Sequence, residues 1–305
     1  MEFDLQYLAV VFNSTLRLMT PILYVALGSA LCNRVFIFNI GLEGMMLTGA
    51  FFAIVANYFT GSVMISIIAA VVSASVIALI AGIFMVTFKG AMLVVGVAIN
   101  ILMAGMTTFL MQIIFGVKGA FVSSDLVGLP KANVEFLKGN EILYTMFGSL
   151  TYLDYLAFVI AIILYVYLFK TVSGFRLRSV GINKEAAESL GINGDKLQIG
   201  MVVLSGALSG LGGCLLSMGG VTMFAQNITA GRGFIAMAAG TLGAAHPLGV
   251  IASSSFFGLA QSAANMLQNT NISGQLTMAI PYAATIVGLA VYNYVGMKRS
   301  ERLAD

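Results

Sequence analysis

The fold is decided by 45 consecutive residues without a charged side chain, GMMLTGAFFAIVANYFTGSVMISIIAAVVSASVIALIAGIFMVTF, at 44–88. One crossing of the bilayer core needs about 20 apolar residues, so this run is long enough for two helices. Residues 90–117 and 197–231 are equally free of charge, and 233–297 contain no Asp, Glu, Lys or Arg. In hydrocarbon, the backbone N–H and C=O groups must form their hydrogen bonds within helices or within a closed barrel. Because the runs are too long and too uniformly apolar for barrel strands, the sequence predicts an all-α, polytopic membrane protein.

The composition of the whole chain agrees with this prediction. Of its 305 residues, 59% are hydrophobic and only 9% are charged. A soluble domain carries about 25% charged residues, so lipid must be the solvent for most of this surface. The net charge of +3 is small, and the basic residues cluster beside the apolar runs. The charge therefore gives no indication of nucleic-acid binding.

We place nine spans in a single domain that covers residues 1–305. The seventh is too short to cross a bilayer alone, which predicts a half-helix or a broken helix. The predicted spans are 7–33, 40–59, 62–87, 91–115, 151–169, 197–218, 233–245, 248–268 and 277–296.

Basic residues in short loops set the orientation, because they favour the cytoplasmic side. The segment 171–196 and the basic C-terminal tail are therefore predicted to be cytoplasmic. The loop 116–150 carries no excess of basic residues and is predicted to be extracellular, as is the N-terminus. Every loop fits this one arrangement.

Two similar segments indicate an inverted repeat. The sequence GLEG at 41–44 opens the second span, and GRGF at 231–234 opens the seventh. In the predicted topology these two spans run in opposite directions, which is the geometry of an inverted repeat of spans 1–4 and 6–9. Chance similarity of two apolar segments is the alternative. The arrangement places Glu43 and Arg232 near opposite faces, about 30 Å apart and without an ion pair.

Catalytic and nucleotide-binding motifs are absent from the sequence. The chain has one histidine, His246, so neither HExxH nor a multi-histidine metal site can form. It contains no GxSxG and no GxxxxGK[ST]. We therefore expect no enzyme activity, no metal site and no bound cofactor. If ATP drives the protein, another subunit must hydrolyse it.

Polar residues within apolar spans are the candidates for lining a solute pathway. Asn100 lies within the fourth span, and Gln261 and Asn265 share one face of the eighth. Amides there can bind a neutral, hydroxyl-rich solute, or they can form hydrogen bonds between helices. For Glu43 the alternative is a cap on the second helix. The candidate pathway residues are Asn39, Glu43, Asn100, Asn227, Arg232, Phe234, Gln261 and Asn265.

The segment 171–196 contains a predicted short helix. Asn183 can cap a helix that begins at Lys184, and Gly191 can end it. Glu185 and Glu188 would lie in its first turns. A short helix between two spans is suited to dock in a groove on another protein. A solvated loop helix without a partner is the alternative.

Four motifs of the chain are similar to those of one transporter family. The segment EAAESLG (185–191) matches the EAAxxxG coupling-loop motif of ABC importer permeases, although the later Ile-x-Leu-Pro is absent. RSVGIN (178–183) resembles the "RAVGxN" sequence of the branched-chain amino acid, ribose and simple-sugar permease family. NIGLEG (39–44) resembles its "NIGxEGQ", with Met45 where Gln is common, and GRGFIA (231–236) resembles its "GRGFIALA".

The resemblance covers residues from about 15 to 295, and it implies both fold and partners. The family has nine or ten spans, with an inverted repeat like that of the vitamin B12-type importer. An ATPase subunit would bind ATP and Mg and dock on this chain. The other implied partners are an extracellular solute-binding lipoprotein and a second, longer permease of the same family. The implied location of the complex is a bacterial inner membrane. The implied coupling residues are Arg176, Arg178, Asn183, Glu185, Ala186, Ala187 and Gly191.

Within this family, the motifs are most similar to those of permeases from nucleoside uptake systems. The resemblance therefore implies nucleosides or related ribosyl compounds as solutes, with simple sugars as close alternatives. A secondary transporter or channel for a small polar solute, and a membrane-embedded enzyme, are the alternatives from other classes of protein.

Overall fold

The computed structural model describes residues 5–132, 139–268, 279–288 and 290, and this part of the chain is mostly helical. Two strands of two residues each, β1 (Ala120–Phe121) and β2 (Phe224–Ala225), pair antiparallel. A π-helical turn, Ile83–Thr87, follows α3. The helices are α1 (Leu5–Arg34), α2 (Leu42–Thr60), α3 (Val63–Gly82), α4 (Met92–Phe115), α5 (Glu141–Phe147), α6 (Tyr152–Lys170), α7 (Val172–Ile182), α8 (Lys184–Ser189), α9 (Gly194–Met218), α10 (Arg232–Leu242), α11 (Pro247–Leu267) and α12 (Ala279–Gly288).

Six of these helices, counted in the described residues, are long and apolar enough to cross a membrane. They are α1, α2, α3 with its π-helical turn, α4, α6 and α9, and they match the first six predicted spans. The seventh predicted span is the short helix α10, as expected. Helix α11 has 21 residues and is long enough to cross a membrane, but its polar side chains make it less apolar than these six helices. The ninth prediction, 277–296, lies partly outside the described residues. Six candidate spans are therefore shown in the described residues, and the count of about nine stays a prediction.

Helix α9 forms the centre of the bundle, between α1, α2 and α3. Its residues Gly206 and Gly210 form a GxxxG motif that packs closely against α3. A Cβ atom added to Gly206 would lie 2.3 Å from the Ala78 Cβ, and one added to Gly210 would lie 2.4 Å from the Ala70 carbonyl oxygen. Because neither glycine has a side chain, the backbones of α9 and α3 approach each other directly.

The outer surface of α3 and α4 is apolar. Only a narrow stripe of α3 is buried, and its apolar members are Ala70, Ala74, Ala78 and Ala81. Large apolar side chains project outward from these helices, among them Ile68 and Val72 of α3 and Ile101 and Phe109 of α4. Such a surface requires a hydrocarbon solvent.

The two ends of the bundle differ in their connections. At one end, α7 and α8 link α6 to α9, and this end is called the α7–α8 end below. The sequence predicted a helix for α8 but not for α7. At the other end, β1 and β2 join the loop after α4 to the loop after α9. The Asn57 side chain near the end of α2 bonds the backbone of Val127 there in both directions, at 2.8 and 3.0 Å.

Candidate functional site

Glu43 lies in the first turn of α2, but its carboxylate binds the start of α10. Its Oε1 accepts hydrogen bonds from the Thr229 hydroxyl at 2.6 Å and from the Gly231 N–H at 2.8 Å. Its Oε2 accepts one from the Gly233 N–H at 2.6 Å. The first N–H groups of a helix carry partial positive charge and lack partners within the helix, so a carboxylate stabilises them. Glu43 therefore caps α10, whereas α2 begins at Gly41 without a side-chain cap.

The predicted separation of Glu43 and Arg232 is wrong. A Cβ atom added to Gly233 would lie 2.6 Å from the Glu43 Cα, so the first turns of α2 and α10 touch. The Arg232 side chain donates from Nη1 to the carbonyl oxygens of Ile228 at 3.2 Å and Thr229 at 3.3 Å. In this part of the structure, no salt bridge joins Arg232 to Glu43.

The physical reason is that both helices begin inside the bundle. Asn100 lies about 12 Å along α4 from its first residue. Its Oδ1 accepts from the Gly44 N–H at 2.8 Å, and its Nδ2 donates to the Ile40 carbonyl at 2.9 Å. The start of α2 therefore lies deep in the bundle. A placement of Glu43 and Arg232 at opposite membrane faces can no longer support the inverted repeat, which stays a prediction.

The side chain of Asn39 forms hydrogen bonds within the bundle, as that of Asn100 does. Its Nδ2 donates to the Ser205 hydroxyl of α9 at 3.1 Å, and its Oδ1 accepts from the Gly41 N–H at 3.0 Å. The residue is 2% exposed. In this structure both asparagines form hydrogen bonds that hold the turn before α2, which was the alternative to lining a pathway.

A polar cavity of about 270 Å³ lies beside the start of α10. It brings together two of the predicted pathway residues, Arg232 and Asn265, with Arg17, Ser14 and Asp154. The remaining walls are formed by Leu18 and Pro21 of α1 and by Leu215, Leu216, Gly219 and Gly220 at the end of α9. The cavity therefore offers two guanidinium groups, an amide and a hydroxyl in an otherwise apolar bundle.

Asp154 is held firmly in the wall of this cavity. Its Oδ2 accepts from the Thr151 N–H at 2.7 Å and from the Thr151 hydroxyl at 2.8 Å, which completes a capping box at the start of α6. Its Oδ1 accepts from the Thr20 hydroxyl of α1. The sequence signal for this role was Thr151 three residues before an acidic residue and an apolar run. Since Asp154 is occupied by these bonds, Arg17, Ser14 and Asn265 provide the hydrogen-bonding groups that the cavity offers to a solute.

The other predicted pathway residues lie outside this cavity. Asn227 is exposed in the loop before α10 and has a φ of 57°. Phe234 is 43% exposed on α10. Gln261 donates from Nε2 to Asn265 Oδ1 at 3.3 Å, which confirms that these two residues share one face of α11. Ser14, Arg17 and Thr229 were not predicted. The signal that could have found Arg17 is its charge within the first predicted span, whereas Ser14 and Thr229 have no distinguishing local pattern.

The predicted short helix is confirmed as α8. The Asn183 side chain accepts from the Ala186 N–H at 3.0 Å as its N-cap. Gly191 follows the helix with φ of 80°, a left-handed conformation that glycine adopts without strain. Lys184 forms a salt bridge with Asp195 and donates to Gln198 Oε1 at 3.0 Å, so α8 is fastened to α9.

The predicted coupling residues divide into two groups. Arg176, Asn183, Glu185, Ala186 and Gly191 are exposed. Ala187 is buried against the bundle, and the guanidinium of Arg178 lies over the Phe169 ring of α6. Leu190, which ends the α8 turn, is 81% exposed. The surface of α8 therefore combines polar side chains with one large apolar side chain that nothing in the described chain covers.

An apolar helical bundle with six candidate spans among the described residues defines a polytopic membrane protein. The fold is similar to a chain of an ABC transporter solved in an inward-facing conformation. The TM-score is 0.51 at 16% identity, covering 96% of this chain and 90% of that one.

The chain belongs to the family described as "Branched-chain amino acid transport system / permease component", whose model matches residues 11–289. It is 34% identical to the guanosine ABC transporter permease protein NupQ of Bacillus subtilis, covering 95% of this chain and 93% of that protein. It is 31% identical to the nucleoside ABC transporter permease protein NupC of Lactococcus lactis, with coverage of 93% and 92%. The chain is thus the membrane-spanning permease subunit of an ABC importer. It is not an enzyme; ATP is hydrolysed on a separate subunit.

Proposed function

We propose that this permease imports nucleosides or related ribosyl compounds, with simple sugars as the nearest alternative. The observation that carries the proposal is the likeness, over nearly the whole chain, to relatives named for guanosine and nucleosides. The polar cavity supports it. A nucleoside has carbonyl and ring-nitrogen acceptors on its base and hydroxyls on its ribose. The guanidinium of Arg17 donates, while the Asn265 amide and the Ser14 hydroxyl both donate and accept.

Uptake by the reconstituted complex tests this function. The complex contains this chain, its second permease, its ATPase and the solute-binding protein, and uptake of radiolabelled guanosine is compared with uptake of free ribose. We expect guanosine uptake, and we expect Asn265→Leu to raise the KM by about tenfold, since a lost hydrogen bond to a polar solute costs about 1 kcal/mol or more. Gln112→Leu, on the exposed face of α4, is the control. Uptake of ribose alone, or an unchanged KM in Asn265→Leu, would contradict the proposal.

The proposed topology places the α7–α8 end in the cytoplasm and the N-terminus and the loop 116–150 outside. The loop would face the solute-binding lipoprotein, and ATP and Mg would be bound by the ATPase. A second permease of the same family would complete the pore, so that the two permeases form a heterodimer. Each permease would have nine spans and a fold like that of the vitamin B12-type importer. Cysteines introduced at Ser123 and Ser189 test the orientation. An impermeant reagent on intact cells should label position 123 and not position 189.

Helix α8 is the proposed coupling element. It is short, capped by Asn183 and fastened to α9 by Lys184, so it can transmit a displacement that a flexible loop would absorb. Docking in a cleft of the ATPase would cover Leu190. Gly191→Val should strain the left-handed turn, and together with Glu185→Lys it should uncouple uptake from ATP hydrolysis. Wild-type uptake and solute-stimulated ATPase activity in this double variant would exclude α8 as the coupling element.

A further inference from the structure

Two arginines share one aromatic ring at the α7–α8 end. The guanidinium carbon of Arg34 lies 5.2 Å from the centroid of the Phe169 ring, and that of Arg178 lies 5.0 Å from it. The His246 ring packs on the same phenyl ring at 4.7 Å between centroids. Both arginines line a cavity of about 300 Å³, called the basic pocket here, together with Asn33, Phe175, Ser179 and Ile182.

The charges of the basic pocket are not balanced by the described residues. Arg34 donates from Nε to the Ala245 carbonyl at 2.8 Å and from Nη2 to the Ala244 carbonyl at 3.2 Å, which are neutral acceptors. The Nε of Arg178 is buried and has no hydrogen-bond partner. Within the described ranges the one salt bridge is Lys184–Asp195, so neither arginine is paired with a carboxylate there. A buried donor without a partner is costly, and an anion in the pocket would satisfy it.

The position of the pocket favours a lipid as the source of this anion. Arg34 is the last residue of α1, and Phe169 precedes Lys170 at the end of α6, so the pocket lies where two spans end. Large apolar side chains surround it: Phe175 is 63% exposed and Ile182 is 87% exposed. Arginines beside exposed apolar side chains match the boundary between phosphate headgroups and acyl chains.

We infer that the basic pocket binds the phosphate of an anionic glycerophospholipid. The two guanidinium groups would donate to the phosphate oxygens, which suit their planar fork. The acyl chains would lie against Phe175, Ile182 and the exposed face of α6, which carries Ile162 and Val166. The pocket itself is independent of the transported solute. Assigning the lipid to the cytoplasmic leaflet rests on the proposed topology.

Native mass spectrometry of the full-length chain in detergent tests this site. The chain is titrated with phosphatidylglycerol and, separately, with zwitterionic phosphatidylcholine. We expect preferential retention of phosphatidylglycerol, and a loss of its affinity by about tenfold or more in the double variant Arg34→Gln/Arg178→Gln, because each basic residue contributes to anionic-lipid binding. Lys89→Gln, which removes a charge from an exposed lysine at the same end, should retain wild-type affinity.

A second variant guards against loss of folding. Arg178→Lys keeps the charge but loses the planar fork, and it should weaken phosphatidylglycerol binding less than the double variant does. Equal retention of both lipids by the wild type, or wild-type affinity in the double variant, would overturn the inference. Displacement of the lipid by millimolar glycerol phosphate or inorganic phosphate would assign the pocket to a free anion instead. Displacement by the purified ATPase subunit would assign it to the subunit interface. None of these results depends on uptake, so they leave the proposed function untouched.

Discussion

The two ends of α10 are held by side chains of opposite charge, and they differ in burial. At the start, the Glu43 carboxylate accepts three hydrogen bonds and is 8% exposed. Just beyond the end, the half-buried Arg34 guanidinium donates to the carbonyls of Ala244 and Ala245, in the turn that follows α10. Both charges have the sign that the helix dipole favours at that position.

The difference indicates which end can rearrange. Releasing Glu43 from α10 would leave a buried carboxylate without donors, which is expensive. Releasing Arg34 would expose a guanidinium that is already partly solvated and that shares the Phe169 ring with Arg178 of α7. We therefore expect α10 and the start of α2 to move together, and any change between transport states to occur at the Arg34 end.

The largest effect is expected from Glu43→Gln. The amide places an NH2 group opposite donors at the start of α10 and removes the charge, so the free energy of unfolding should fall by about 3 kcal/mol. The measurement is thermal unfolding of the full-length chain in lipid nanodiscs. Glu141→Gln makes the same chemical change at an exposed position in the first turn of α5 and should have little effect. A loss below about 1 kcal/mol for Glu43→Gln would remove the distinction between the two ends.

A smaller loss is expected from Gly233→Ala. The added Cβ would meet the Glu43 backbone at 2.6 Å and force α2 and α10 apart, at a cost of about 2 kcal/mol. Gly105→Ala in α4 is the matched control, because a Cβ there meets no atom within 4 Å. It should be neutral or slightly stabilising, since alanine is the better helix former. Equal unfolding temperatures for the two variants would contradict the contact between the helix starts.

The smallest loss is expected from Arg34→Gln. Two hydrogen bonds from a half-exposed guanidinium to the end of α10 should contribute about 1 kcal/mol. Lys170→Gln, at the end of α6, serves as the control for loss of a basic residue at this end. The unfolding temperature should fall less than in Glu43→Gln. A larger fall would show that the Arg34 end is the more firmly held of the two.

Sequence reasoning located the helices well because charge-free runs report length and apolarity directly. The first six predicted spans differ from the observed helices by at most three residues at either end. The cap and stop of α8 were also predicted, since Asn183 and Gly191 act on neighbouring backbone. Helix α7 was missed because its charged residues gave no apolar run.

The depth at which a helix begins in the bundle, and the contacts between residues distant in sequence, could not be predicted from local patterns. No local sequence pattern in residues 41–44 or 231–234 indicates that α2 and α10 begin inside the bundle. Glu43 and Arg232 were therefore predicted to lie at opposite faces of the membrane. Arg232 and Asn265 were found as polar residues beside or within apolar runs, and the cavity does contain both. Arg34 and Phe169 are separated by most of the first half of the chain, and only the folded structure brings them together.

The close contact between α3 and α9 limits how this subunit can change shape. Gly206 and Gly210 have no side chain, and the alanines opposite them have no rotamers, so the contact offers no alternative set of side-chain positions. A switch between two arrangements needs an interface that can be packed in two ways. Helices α3 and α9 must therefore behave as one rigid plate. Relative movement in this subunit is left to boundaries lined by longer side chains, such as the boundary between α6, α7 and the end of α1.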